Sequence, residues 1–341
     1  MFTTSLRPVR RLAAMLAVIA LILLAVGCGD DDDDATTVTP TAGPTVEPTA
    51  EPTTGPTSEP TAEPTQGPTT EPTAEPTEEP TTEPTTEPGG EHRVLVYFLD
   101  GETLVVGGRT TTTAAVGADA IEALLAGPAA GFEADMGWHT EIPEGTELLG
   151  LDIADGTATV DLSSEFESGG GTLSVTARVA QLVFTLTQFP TVDTVDVWID
   201  GEAVEYLTGE GFEAEDLSRE DFLVQDLANA PMPIILVESP YVGEEAPRPL
   251  TISGLSNTFE ATVRYQVTDV DGEIVLDGFT TASAGTGTWG TFEIVLDQPD
   301  LPAFTREGVA SVIVFEDSAE DGRPINIVEV PIVVGPEWLG P

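Results

Sequence analysis

The sequence contains no lysine, only two histidines and a single cysteine, Cys28, in 341 residues. One cysteine excludes an internal disulfide and a cysteine-based zinc cage. The 11 basic residues, all arginine, are outnumbered by 60 acidic residues, and the formal net charge is -49. Because neutralising phosphates requires a basic face, this charge argues against a nucleic-acid partner. It is typical of a strongly hydrated surface, and it also suits saline surroundings.

The N-terminus combines a basic segment with an apolar run over 12–26. The run is shorter than the ~20 residues of a membrane-spanning helix and is typical of a signal-peptide core. Small side chains precede Cys28, so the stretch resembles the lipobox of bacterial lipoproteins. The resemblance implies that 1–27 is a signal peptide and that Cys28 is lipidated, which anchors the protein in the lipid bilayer at the outer face of the cytoplasmic membrane. An ordinary secreted protein is the alternative, and Arg10-Arg11 leaves both general and twin-arginine export open.

Residues 28–91 form an acidic linker rich in threonine and proline, with units such as EPTA and EPTT. Asp30 to Asp34 is interpreted as a solvated spacer rather than a metal site, since runs of like charge stay hydrated. Proline at nearly every fourth position prevents helix and sheet, which predicts a disordered stalk of polyproline II type. At ~3.1 Å per residue, about 60 such residues reach on the order of 190 Å.

The segment 92–212 alternates strand and helix patterns and predicts a small α/β sandwich. Val94 to Leu99 and Thr194 to Asp200 read as strands that end at Asp-Gly turns. Helices are predicted over 114–126, with Ile121, Leu124 and Leu125 on one face, and over 173–189, where Pro190 stops the helix.

An acidic, partly helical connector is predicted over 213–232, and about seven short strands follow in 233–336. Alternation is clear from Phe259 to Val267, and no helix interrupts the strands. This pattern predicts an all-β sandwich of immunoglobulin type. The fold class is therefore α+β multidomain, with a small α/β sandwich followed by an immunoglobulin-like sandwich.

Both segments resemble known bacterial domains. The first contains VYFLD, IEALLAGP, IPEGT (Ile142 to Thr146) and TLTQFP (Thr185 to Pro190), and it is similar to the GerMN domain of sporulation and germination lipoproteins. The second contains SPYVGEEAPRPLTISGLS, GTGTWGTFE and VFEDSAEDG, and it is similar to the immunoglobulin-like domain associated with spore germination. The resemblance implies a fold related to ring-building modules of secretion and sporulation assemblies. It implies no catalytic residue.

Two short motifs are weak signals for ligands. Gly285 to Gly290 matches G-x-G-x-x-G, but the motif runs into a predicted strand, whereas a dinucleotide site must open a helix. Asp269-x-Asp271-Gly272 resembles the start of a calcium loop, but the twelfth position is Thr280 instead of glutamate, so a turn is favoured.

The two histidines, His92 and His139, stand in no zinc-binding spacing. No catalytic residue, cofactor or metal ligand is therefore assigned, and the protein is predicted not to be an enzyme.

These features predict a non-catalytic binding or assembly module at the cell envelope with envelope protein partners, related to sporulation or germination by family resemblance. The alternative is a cell-wall glycan-binding or glycan-processing protein, for which Trp289 and Tyr241, and Trp338 beyond the sandwich, are the candidate stacking residues. A third hypothesis is an acidic surface protein adapted to brine.

Overall fold

The structure is a computed structural model, and it describes residues 90–208, 212–223, 231–297 and 299–339. The predicted signal peptide, Cys28 and residues 28–89 of the predicted stalk lie outside the described residues.

A hairpin opens the first domain, as its alternating apolar residues and Asp100-Gly101 turn predict. Strand β1 (His92–Asp100) pairs in antiparallel register with β2 (Thr103–Thr111). Helix α1 (Val116–Leu125) follows and buries Ile121 and Leu124, and a short helix, α2 (Phe132–Asp135), precedes the next strand.

A four-stranded sheet forms the second layer of this domain. Its strands stand in the order β3, β4, β5 and β6, and β4 pairs with β5 in parallel while the other pairs are antiparallel. The strand bounds are β3 (Leu148–Ala154), β4 (Thr157–Leu162), β5 (Thr194–Ile199) and β6 (Glu202–Ala203). The parallel pair requires a crossover, which helix α3 (Thr172–Leu186) supplies.

Helix α3 is buried almost all round because it contacts β1, α1 and β5. Two polar side chains of the helix and one just beyond it take the place of a strand neighbour for β1. Gln181 donates to the carbonyl of Tyr97 at 2.8 Å, and Thr185 accepts from the Tyr97 N–H at 3.3 Å. Gln188, just beyond the helix, both accepts from Leu95 N at 2.6 Å and donates to its carbonyl at 2.7 Å. The TLTQ stretch thus satisfies a strand edge that would otherwise leave polar groups buried and unpaired.

The connector contains β7 (Tyr206–Leu207), which pairs with β8 (Phe212–Glu213), and a 3-10 turn over Arg219–Phe222. The turn begins at Ser218, whose N–H donates to the Asp221 carboxylate at 2.7 Å. Residues 202–207 therefore divide between two sheets, since β6 pairs with β5 but β7 pairs with β8.

The second domain is the predicted sandwich of seven strands, and hydrophobic packing closes it. A three-stranded sheet has the order β13, β10, β9, and a four-stranded sheet has the order β12, β11, β14, β15. The bounds are β9 (Ile235–Ser239), β10 (Leu250–Ser256), β11 (Thr262–Thr268), β12 (Ile274–Thr281), β13 (Gly290–Leu296), β14 (Gly308–Asp317) and β15 (Pro324–Val334). The predicted fold class is confirmed for both domains.

Several element boundaries differ from the sequence prediction, and two of the differences have a clear physical reason. The strand predicted from Phe259 starts at Thr262, because Glu260 and Ala261 have positive φ values of 53° and 57° that interrupt an extended chain. Helix α3 ends at Leu186 rather than 189, and Gln188 is released to pair with β1.

Candidate functional site at the contact between the two domains

The two domains meet at Gly108 of β2, a residue without a side chain. A Cβ atom placed on Gly108 would lie 2.3 Å from the ring of Tyr241, so glycine is required for this approach. The Arg93 guanidinium stands 4.7 Å from the centre of the same ring and forms an ion pair with Glu244. The contact therefore joins a cation–π interaction to a charge pair between the domains.

A second contact centres on Tyr97, which is fully buried in β1. Its hydroxyl donates to the Glu238 carboxylate of β9, and Arg219 of the connector donates to Glu238 at 2.7 Å and to the Tyr97 oxygen at 3.1 Å. Arg219 also donates to Thr187 at 2.9 Å and lies 4.7 Å from the centre of the Phe184 ring. One guanidinium therefore connects the first domain, the connector and the sandwich.

The electrostatics of this cluster follow from its burial. Desolvation raises the pKa of Tyr97 well above its usual value, and the Glu238 charge adds to the rise while Arg219 opposes it. Burial alone would lower the pKa of Arg219, but the neighbouring Tyr97 and Glu238 outweigh burial and raise it. The phenol stays protonated and the guanidinium stays charged, which keeps the network intact at neutral pH.

Next to these contacts lies a cleft of about 530 Å³ whose walls come from both domains. Its floor is mainly apolar, and Asp100 and Glu329 are exposed carboxylates on its walls. The lining includes Leu104, Val106, Met136 and Trp138 from the first domain, the segment from Met232 to Val237, and Asn326 to Val330 of β15. An apolar concavity with a few polar groups at the junction of two domains is the usual form of a binding site.

The structure disperses the motifs that the sequence suggested as ligand sites. Gly285 to Gly290 forms a loop that enters β13, and Cβ atoms at Gly285 and Gly290 would lie 2.5 Å and 2.3 Å from backbone atoms. Asp269 accepts the N–H groups of Asp271 and Glu273, each at 2.9 Å, as the turn interpretation predicts. The glycines and the aspartate therefore shape β connections.

The candidate stacking residues of the sandwich do not form an open platform. Trp338 is fully buried, and its indole N–H donates to the Ala246 carbonyl at 3.0 Å. Tyr241 is covered by Gly108 and Arg93, and Trp289 is partly buried. The sandwich therefore offers little support for glycan stacking at these positions.

The two histidines occupy separate places. His92 is exposed at the start of β1, and His139 Nε2 lies 3.8 Å from Glu141, which accepts a hydrogen bond from Ser174. The carboxylate thus stands between the hydroxyl and the imidazole, whereas activation of a serine requires the imidazole beside the hydroxyl. Across the part of the chain that the structure describes, no three histidine, cysteine or acidic side chains converge to hold a metal ion.

Cys28, the predicted lipidation site, lies outside the described residues. Among the residues of 90–339 that the structure describes, no helix has the length and apolar character needed to cross a bilayer. Sequence reasoning missed the cluster of Tyr97, Arg219 and Glu238, because the three residues lie far apart in the chain and no single motif contains them.

Comparison with known families gives three matches. The model described as Germane, sporulation and spore germination, matches residues 95–205. The model of the immunoglobulin-like domain of bacterial spore germination matches 234–323, and a model described as PT disordered repeat matches 35–70. No curated protein matches the chain in a sequence search.

Solved structures give matches of the same kind. The first GerMN domain of the sporulation protein GerM from Bacillus subtilis is 27% identical to this chain in sequence. The match covers 38% of this chain and 99% of the GerM domain, with a TM-score of 0.31. The tandem GerMN domains of GerM from Bacillus subtilis are 20% identical, with 61% of each chain covered and a TM-score of 0.34.

The folds define a protein in which an α/β domain is followed by an immunoglobulin-like sandwich. The chain carries a GerMN domain followed by the immunoglobulin-like domain of bacterial spore germination, and it is a sporulation- or germination-associated protein.

Proposed function

We propose that this chain is a lipid-anchored, non-catalytic binding module at the outer face of the cytoplasmic membrane. Acylation at Cys28 attaches it to the bilayer, and residues 28–91 hold the two domains away from the surface. The lipobox resemblance and the threonine- and proline-rich repeats support this arrangement. The role is to engage envelope protein partners of the sporulation or germination apparatus.

The observation that carries the binding role is the cleft of about 530 Å³ between the domains. An ion pair from Arg93 to Glu244 and a hydrogen bond from Tyr97 to Glu238 join the two domains that form its walls. A preformed site loses less conformational entropy on binding than a mobile one. The order Ser174, Glu141, His139 gives no activated nucleophile, so binding is favoured over hydrolysis.

The anchor is tested by Cys28→Ala in the native host. We expect the wild-type protein in the membrane fraction, with mass spectrometry showing an acylated N-terminal cysteine. The variant should leave the membrane fraction. A wild-type protein with an unmodified N-terminus upstream of Cys28 contradicts the anchor.

The binding role is tested with a photo-crosslinking amino acid at Thr103, on the wall of the cleft. The matched control places the same group at Thr281, which is exposed on β12 at the opposite edge of the β15 sheet. We expect covalent adducts with envelope proteins at Thr103 and none at Thr281. Equal labelling at both positions, or none, argues against the cleft as a binding site.

The glycan-binding alternative is tested with purified peptidoglycan. Retention of the protein on the insoluble wall, or release of soluble fragments, would replace the protein-binding role. We expect neither.

A further inference from the structure

The first half of β15 has a free backbone edge beside the cleft. In its second half, Pro331 O accepts from Gly243 N, and Val333 bonds with both Glu244 and Ala246, each at 2.8 Å. Because backbone groups alternate along an antiparallel strand, Glu329 points to the same outer side as Pro331 and Val333. The alternation stops before Val328, where a register shift against β14 and the positive φ of Asn326, 50°, form a β-bulge. Among the described residues, β14 is the only strand neighbour of this first half.

This edge is apolar and accessible. Ile325 and Ile327 are 42% and 58% exposed, and Asn326 to Val330 line the cleft. An added strand would therefore pair with the edge and direct alternate side chains onto the apolar floor. Pro331 has no N–H and limits the pairing to the part of β15 before it.

The charge of the cleft selects the occupant. Asp100 and Glu329 are exposed on its walls, Glu102 is exposed at the adjacent hairpin turn, and the described lining contains no basic residue. Residues 28–91 are acidic and rich in proline, residues 224–230 contain no basic residue, and a second copy has the same net charge of -49. The chain's own segments and a second copy therefore fit poorly.

We propose that the cleft binds an extended segment of a partner protein in which apolar residues alternate with lysine or arginine. The segment adds to β15 at Glu329, places its apolar side chains on the cleft floor, and pairs its basic side chains with Asp100 and Glu329. This inference rests on the proposed binding function and specifies the chemistry of the partner.

The test measures binding of a fluorescein-labelled peptide, Lys-Val-Arg-Ile-Lys-Val, to the full-length protein by fluorescence anisotropy. Two control peptides keep its length: one has glutamate at every basic position, and one has proline in place of isoleucine. We expect only the first peptide to bind, with a dissociation constant below about 100 µM that weakens as salt screens the charges.

The protein variants are Glu329→Lys and its matched control Glu293→Lys, an exposed glutamate on β13, at the edge of the other sheet. We expect Glu329→Lys to weaken binding about tenfold or more, and Glu293→Lys to stay within about twofold of wild type. Hydrogen exchange should show that the peptide protects the amide of Glu329, a readout that does not depend on a substitution.

Several results would overturn the inference: binding of the acidic peptide with equal affinity, an unchanged affinity in Glu329→Lys, or no binding below about 1 mM. A concentration-dependent dimer that Glu329→Lys disperses would assign the cleft to a second copy instead. If the peptide fails but crosslinks at Thr103 persist, this inference alone is wrong. If the crosslinks are also absent, the proposed binding function fails with it.

Discussion

The hydroxyl of Tyr97 donates a hydrogen bond to the carboxylate of Glu238, although the two residues lie 141 positions apart. Tyr97 belongs to the first strand of the GerMN domain and Glu238 to the first strand of the sandwich. Arg219 from the connector binds both side chains. A polar network of this kind is strong when complete and costly when one member is missing, because the groups are largely desolvated.

Replacing Tyr97 with phenylalanine is expected to destabilise the protein by about 1–2 kcal/mol. The ring stays and fills the same space, but Arg219 loses an acceptor and Glu238 loses a donor. Urea denaturation measures the change. Tyr206→Phe is the control, because Tyr206 is 48% exposed, and its unfolding midpoint should not move. An equal effect of both substitutions would mean that the buried network adds nothing.

The Arg219–Glu238 pair is expected to show a coupling energy of about 2 kcal/mol in a double-mutant cycle with Arg219→Gln and Glu238→Gln. The two side chains are only 22% and 20% exposed, so water screens their attraction weakly. The control cycle uses Arg323 and Asp321, which are 81% and 41% exposed, and its coupling should remain below about 0.5 kcal/mol. Similar coupling in both cycles would contradict the role given to burial.

The stability advantage that Tyr97 gives over phenylalanine is expected to shrink in alkaline solution. The pKa of Tyr97 is raised in the folded protein, so the unfolded chain loses its phenolic proton first as pH rises. The contribution is therefore complete below the unfolded pKa of about 10, and it falls by up to ~1.4 kcal/mol per pH unit above that value.

Urea midpoints at pH 8 and above pH 10 measure this effect in wild type and Tyr97→Phe. The difference between the two proteins isolates Tyr97, because the other tyrosines, including Tyr241 and Tyr265, are present in both. A difference that stays constant across this range would show that Tyr97 ionises no later in the folded state.

Gly254→Ala is expected to destabilise the sandwich by about 3 kcal/mol. A Cβ atom at this position would lie 1.9 Å from the backbone oxygen of Leu236, so β9 and β10 would have to separate. Gly150→Ala is the matched strand control, since its Cβ would meet Asp161 at an ordinary 3.8 Å. Thermal unfolding should show a large loss for the first substitution and little change for the second.

Local sequence patterns predicted most elements because they record contacts between near neighbours. The spacing of Ile121 and Leu124 indicated α1, and the two Asp-Gly turns marked the ends of β1 and β5. The strand predicted from Phe259 was wrong at its start, because Phe259 and Ala261 continue the apolar alternation while Glu260 and Ala261 have positive φ. The polar residues Gln181 and Thr185, both buried in helix α3, were a signal for the β1 edge that alternation alone does not reveal.

The sequence by itself determined the order of the two domains, the acidity of the chain and the periodicity of its strands and helices, because these depend on composition and on residues close in the chain. Only the tertiary structure decided that Tyr97, Arg219 and Glu238 meet and that β2, the connector and β15 enclose a cleft. Those contacts depend on how separate elements pack, and no local pattern encodes that geometry.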